Sequence, residues 1–87
     1  MKLNGLNFNQ HPNWADGTHA KHTFPNGYGV SVITGSDAYT STKKPYEVAI
    51  LHHGKITYDT HITDDVLGYL DDEAVNLVLC KVESLDA

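Results

Sequence analysis

Residues 46–70, YEVAILHHGKITYDTHITDDVLGYL, constrain the fold more than any other stretch of this chain. Apolar and polar side chains alternate over residues 46–52, which is the pattern of a half-buried β-strand. His53 and Gly54 then predict a two-residue turn. Residues 55–60 alternate again, with isoleucine and tyrosine on one face. This part of the stretch therefore predicts a β-hairpin.

Two helices are predicted after this hairpin. Thr63 is a suitable cap for the first helix, and the helix dipole favours the negative charges of Asp64 and Asp65 that follow it. Gly68 lowers helix propensity, so we expect this helix to be short. Asp71 then caps a second helix, whose apolar side chains recur at helical spacing. The predicted buried stripe consists of Val75, Val78, Leu79, Val82 and Leu85.

The first half of the chain predicts another hairpin. Residues 18–24 alternate weakly, whereas residues 28–34 (YGVSVIT) are β-branched and alternate clearly. The Pro-Asn-Gly sequence at 25–27 is a strong turn signal, because proline presets φ and glycine tolerates positive φ. Residues 1–17 are rich in asparagine and predict an irregular N-terminal segment. The apolar residues expected to anchor that segment are Leu3, Leu6, Phe8 and Trp14.

These patterns predict a single small α+β domain over residues 1–87. We expect an antiparallel sheet of three to four strands with the C-terminal helices packed on one face. An isolated hairpin is not stable in water, and the helix stripe supplies the missing cover. If the other face of the sheet is apolar in three dimensions, we expect the chain to form a homodimer or to bind a partner there.

Charge and composition limit the possible functions. The chain has 11 acidic residues, six lysines and no arginine, with a formal net charge of −5. Arginine dominates phosphate and base recognition, so we expect no direct binding of nucleic acid. The single cysteine, Cys80, cannot form an intrachain disulfide and is expected to be a buried or half-buried thiol of the second helix. No apolar run approaches the roughly 18 residues that span a bilayer, so we expect an intracellular, soluble protein without a membrane contact.

Six histidines raise the question of a metal site. His19 and His22 have an H-x-x-H spacing, but on a strand such residues point to opposite faces. The adjacent His52 and His53 are expected to diverge for the same reason. Paired cysteines and an H-E-x-x-H helix are both missing from the sequence. We therefore predict no metal and no cofactor; the weak candidates for a ligand set are His22, His52 and His61.

Acidic residues concentrate in the C-terminal half of the chain. They are Asp59, Asp64, Asp65, Asp71, Asp72 and Glu73. Helix capping and the helix dipole explain most of these positions without catalysis. These acidic side chains also form a negative patch, which is suited to binding a basic surface of another protein. Tyr39, in the polar loop at 35–44, is the best candidate for an exposed aromatic anchor in a protein interface, with simple loop packing as the alternative.

Two motifs carry a resemblance to a known group of proteins. They are FPNGYGVSV at residues 24–32 and YDTHITDDVLGYL at residues 58–70. Over about residues 18–85 the chain resembles small, mostly uncharacterised phage and prophage proteins. The resemblance supplies no catalytic residues. It implies a virus-encoded protein made in the host bacterial cytoplasm.

We expect a non-enzymatic, phage-encoded protein that binds and modulates a host protein, with anti-defence inhibition as one form of that role. The expected contact residues are the acidic patch and Tyr39. Two alternatives remain open. One is a small histidine-based or metal-dependent enzyme or ligand-binding domain, and the other is a minor virion component.

Overall fold

The computed structural model describes residues 1–36, 38–63 and 65–86. A short 3-10 helix, Leu3–Gly5, comes first. The strands are β1 Asn9–Gln10, β2 Thr18–Thr23, β3 Tyr28–Thr34, β4 Tyr46–His52, β5 Lys55–Ile56 and β6 Leu67–Leu70, and the α-helix is α1 Asp72–Glu83. All strand pairs are antiparallel, which confirms the predicted α+β class. The described residues form six strands rather than three to four, and one C-terminal α-helix rather than two.

The sheet is ordered β1-β2-β3-β4-β5, and β6 also pairs with β4. β5 pairs with the C-terminal end of β4, at Leu51 and His52. β6 pairs with its N-terminal end, at Tyr46 and Val48. β5 and β6 therefore share one side of β4, and β3 lies at the centre of the sheet.

The core lies between α1 and one face of β3 and β4. Val30 pairs with Ile50, and Val32 pairs with Val48, so four apolar side chains form a block on the same face. The helix contributes Val75, Val78, Leu79 and Val82. The largest fully buried side chains of the described residues all come from these three elements. Each such burial is worth about 1.5–3 kcal/mol, so this contact is the main source of stability.

The start of α1 agrees with the prediction. Asp71 caps the helix, since its Oδ1 accepts from the backbone N–H of Ala74 at 2.9 Å. The prediction for Cys80 was wrong, because this thiol is exposed. Cys80 lies two positions from each of the buried residues Val78 and Val82. Residues two apart point to different faces of a helix, so the Cys80 side chain faces solvent.

The predicted first helix was wrong. Residues 67–70 form β6, because pairing with β4 gives this segment backbone hydrogen bonds at an edge of the sheet. The expected capping residues form local turns instead: Asp65 N–H donates to Thr63 Oγ1 at 3.1 Å, and Val66 N–H donates to Asp65 Oδ1 at 2.7 Å. Asp64, the other residue of that expected cap, lies outside the described residues.

Two further details differ from the prediction. The second strand of the C-terminal hairpin, expected over residues 55–60, ends at Ile56, with one more bond from Thr57 N–H to the Ile50 carbonyl at 2.9 Å. In the N-terminal segment, Leu6 is buried in the core as expected. Trp14 was expected to pack on the sheet, but its ring stacks on His11 with the centroids 4.2 Å apart.

Asn26, in the turn between β2 and β3, binds the C-terminal end of α1. Its Nδ2 donates to the carbonyls of Val82, Glu83 and Leu85 at 3.0, 3.2 and 2.9 Å. Its Oδ1 accepts from the backbone N–H of Tyr28 at 3.0 Å. The last carbonyls of a helix have no partner within the helix, so this one side chain supplies them with a donor and joins the turn to α1.

We expect Asn26→Ala to lower the free energy of unfolding by about 1–2 kcal/mol, because two partly buried carbonyls lose a donor. Asn26→Asp should cost at least as much, since a carboxylate cannot donate and would face the same oxygens. Urea denaturation followed by circular dichroism measures both changes. As a control, Asn7→Ala at an exposed position should stay within about 0.5 kcal/mol of the parent. Equal midpoints for Asn26→Ala and the parent chain would contradict this role.

Candidate functional site

Two exposed tyrosines lie together at β6. Tyr39 is 61% exposed and Tyr69 is 55% exposed. The backbone N–H of Tyr69 donates to the Tyr39 carbonyl at 2.8 Å. The N–H of Tyr39 in turn donates to Glu47 Oε1 of β4 at 3.1 Å. Backbone contacts therefore fix both residues, while both rings remain largely in solvent; we call them the tyrosine pair.

A β-bulge determines where Tyr69 lies. Leu70 pairs with Tyr46 and Leu67 pairs with Val48, so two residues of β6 face the single residue Glu47. Tyr69 has a φ of 55°, which is unusual for a bulky side chain. The other bulge residue is Gly68. A Cβ at Gly68 would lie 2.7 Å from the Cβ of Tyr39, so only glycine permits this approach.

Acidic side chains flank the tyrosine pair along the chain. Asp65 precedes β6, and Asp71 follows it directly. Asp72 and Glu73 continue into the first turn of α1, and all four are exposed. We call this surface the β6 edge; it comprises Tyr39, Asp65, Tyr69, Asp71, Asp72 and Glu73. The structure thus brings the predicted Tyr39 to the predicted acidic residues, because β6 connects them.

The remaining two acidic candidates are not part of this surface. Asp59 is exposed in the segment that follows β5, and Asp64 lies outside the described residues. Within the β6 edge, Asp71 is engaged as the helix cap, and Asp65 accepts a bond from Val66. Asp72 and Glu73 are therefore the carboxylates best suited to an external contact.

The charge of Asp72 acts on the neighbouring start of β4. Burial raises the pKa of Tyr46 above its usual value, and the negative charge of Asp72 raises this pKa further. Both effects disfavour the phenolate, so the Tyr46 side chain remains a neutral hydroxyl at neutral pH. Next to it, the ring of Phe8 lies 6.1 Å away, centroid to centroid.

The three candidate metal ligands have separate surroundings. His22 packs edge-on against Phe24, with centroids 4.9 Å apart. His52 stacks on Tyr28 at 4.2 Å. His61 is exposed in the segment between β5 and β6. Within residues 1–36, 38–63 and 65–86, no group of three or more His, Cys, Asp or Glu side chains could hold a metal ion.

The prediction that His52 and His53 diverge was wrong. Their rings stack with centroids 4.1 Å apart. His53 has a φ of 52° and forms the turn after β4, so the alternation of a strand does not apply to it. The N–H of His53 also donates to the Gly27 carbonyl at 2.9 Å, which joins the two hairpin turns at one end of the sheet.

Two concave surfaces border the β6 edge, one lined in part by Asp72 and the other by Glu47, which binds Tyr39. One, of about 460 Å³, lies between the N-terminal segment and the start of α1, with Leu6, Phe8 and Tyr46 in its wall. The other, of about 350 Å³, lies on the sheet face opposite α1. Neither is lined by Tyr39 or Tyr69.

Comparisons of the chain with protein-family models, with curated proteins and with solved structures find no match. The similarity to small phage proteins therefore stays a prediction, and the binding role is inferred from the geometry of the β6 edge. In the described part of the chain, no helix has the length and apolar character needed to cross a membrane.

Sequence reasoning missed Tyr69 because it placed this residue in a helix. The signal that could have found it is Gly68, which is unfavourable within a helix and common at a bulge. A glycine followed by an aromatic residue, just before the strong cap at Asp71, is consistent with a short strand ending at the helix.

The positive φ of Tyr69 predicts a difference between two substitutions. Tyr69→Gly removes the steric strain of the left-handed conformation, whereas Tyr69→Ala removes the same ring but keeps the Cβ that causes the strain. Since that strain costs about 1–2 kcal/mol and glycine loses about 0.5–1 kcal/mol in chain entropy, we expect the glycine variant to be more stable by up to about 1 kcal/mol. Urea denaturation of the two variants measures the difference. A more stable alanine variant would contradict the geometry of the bulge.

Proposed function

We propose that this chain is a non-enzymatic, phage-encoded protein that binds a host protein in the bacterial cytoplasm and modulates it, as an inhibitor of a defence factor. The observation that carries the binding role is the tyrosine pair, fixed by backbone bonds and flanked by acidic side chains. The phage origin and the cytoplasmic location come from the resemblance at residues 24–32 and 58–70.

Tyrosine side chains suit a binding surface for a physical reason. Tyrosine and tryptophan are over-represented among the residues that dominate binding energy, and a tyrosine loses little conformational entropy when it is buried. Here the backbone of both tyrosines is already fixed, by Glu47 and by the bond between them. A partner would therefore have to order only the two rings, which lowers the entropic cost of association.

Charge indicates the kind of partner. The chain carries a formal net charge of −5, and the exposed carboxylates of Asp72 and Glu73 follow β6 in the first turn of α1. A basic surface on the host protein complements this edge, and the attraction increases the rate of encounter. Binding there would modulate the host protein by covering that basic surface and excluding its normal ligand.

The tyrosine pair can be tested against a tyrosine elsewhere on the surface. Tyr58 is 50% exposed and lies after β5, outside the residues that form the β6 edge, so Tyr58→Ser is a matched control for Tyr39→Ser and Tyr69→Gly. Affinity capture from host lysate should recover one host protein with the parent chain and with Tyr58→Ser. The purified pair, measured by calorimetry, should bind at least about tenfold more weakly with either β6-edge variant.

Circular dichroism of Tyr39→Ser and Tyr69→Gly at the assay temperature makes this test informative, because a native spectrum shows that a loss of binding does not reflect unfolding. Equal affinity in all three variants would contradict the β6 edge as the binding surface. Recovery of no host protein in stoichiometric amount, together with no effect of the gene on phage infection, would overturn the proposed function.

The acidic residues predict a dependence on salt. The double variant Asp72→Asn with Glu73→Gln should weaken binding several-fold at low ionic strength and flatten the salt dependence, since exposed charges are screened within about 10 Å at 0.1 M salt. Asp71 is left unchanged because it caps α1. Asp86→Asn, beyond the other end of the helix, is the control and should leave the salt dependence as in the parent. A salt dependence that the double variant does not alter would show that these carboxylates do not meet the partner.

A further inference from the structure

The groove on the sheet face opposite α1 has a floor of small side chains. Ser31 of β3 pairs with Ala49 of β4, and Lys21 of β2 pairs with Ser31 on the other side. Lys21, Ser31 and Ala49 therefore form one row across three neighbouring strands and line the groove. Ala49 is only 9% exposed although α1 covers the other face, which shows that this floor is recessed.

Taller side chains enclose this row. His19, Ile33 and Glu47 form the next row across the same strands and make one wall. Ile56 and Val66 also line the groove, on the side of β4 where β5 and β6 pair. Because Ile56 is 52% exposed, this end offers apolar surface that a ligand would remove from water.

The opposite end of the groove carries hydrogen-bond donors. Lys21 is there, and His11 lies beside His19, with ring centroids 5.6 Å apart. The backbone N–H of Asn13 donates to His11 Nδ1 at 3.1 Å, so the ring proton lies on Nε2, which is a donor. Trp14 stacks on the His11 ring and holds its orientation.

Glu47 is the carboxylate in the lining, and its position is compatible with an anion at Lys21. Its Oε1 accepts from Tyr39 N–H at the β6 side, which directs it away from the donors. Lys21 and Glu47 lie two strands apart, and at about 4.8 Å per strand this separates their backbones by about 10 Å. The groove is thus cationic at the Lys21 end, whereas its β4 end combines the apolar Ile56 and Val66 with the Glu47 carboxylate, which is held by Tyr39.

We propose that this groove binds an amphipathic carboxylate, such as a medium-chain fatty acid. The carboxylate lies at Lys21, and the chain crosses Ser31 and ends over Ala49, facing Ile56 and Val66. The distance from Lys21 to Ala49 is two strand spacings, about 10 Å, which suits a chain of about eight carbons. The volume of about 350 Å³ is in the range of small-molecule sites.

Octanoate is the probe, and amide NMR spectra of the full chain are the readout. Titration should produce saturable shifts at Ser31, Ile33 and Ala49. Lys21→Met keeps the apolar stem and removes the charge, and it should weaken binding about tenfold or more, since a charge-assisted bond is lost. Lys43→Met, in the exposed loop before β4, is the matched control and should bind as the parent does.

Two further measurements separate the roles of head group and groove. Ser31→Ile places a β-branched residue in a central strand, so it fills the groove while favouring the strand, and it should abolish the shifts. Octylamine, which has the same chain and the opposite charge, should bind more weakly than octanoate.

The proposal is overturned by any of four results. These are no saturation at millimolar octanoate, shifts centred on the groove at Phe8 and Tyr46 instead, equal binding of octylamine, or unchanged affinity in Lys21→Met. A dimer in sedimentation that Ser31→Ile dissociates would be a fifth such result, because a second copy would then occupy the face. Tyr69→Gly should leave octanoate binding unchanged, so this outcome is independent of host-protein binding at the β6 edge.

Discussion

The packing of one helix stripe on β3 and β4 is the contact on which the rest of the structure depends. All the largest fully buried side chains of the described residues lie in that contact. Because a single helix covers this face, both of its ends have to be held in place. Asp71 satisfies the first turn, and Asn26 reaches from the first hairpin turn to the last carbonyls. β6 ends directly before Asp71, so the same packing also determines the position of the β6 edge.

Local patterns predicted the elements whose residues follow local rules. The bounds of β3 and β4, the turn at 25–27 and the cap at Asp71 all agree with the structure. β6 did not follow from such patterns. Thr63 and the apolar residues after it match a helix start. The strand conformation of Leu67–Leu70 depends on pairing with Tyr46 and Val48, about 20 positions earlier. Strand preference is governed by such non-local neighbours more than helix preference is.

The candidate sites were predictable to different degrees for the same reason. Tyr39 could be found because an aromatic residue in a polar loop is a local signal. Tyr69 was missed, since its exposure follows from the bulge in β6, for which Gly68 was the local signal. The groove is even more difficult to predict from the sequence, because Lys21, Ser31 and Ala49 form one row only when the register of three strands is known. Alternation along a strand also failed at His53, where the turn changes the backbone direction.

Glu47 connects the two surfaces. Its side chain lines the groove on the open sheet face, and its Oε1 also holds the backbone N–H of Tyr39. A groove ligand that displaces the Glu47 carboxylate would break its bond to Tyr39 and lower the affinity for any partner that binds through Tyr39. Linkage is reciprocal, so that partner would then lower the affinity for the ligand by the same factor. A ligand that leaves Glu47 in place would couple the two surfaces only weakly, because their other residues belong to different rows and edges of the sheet.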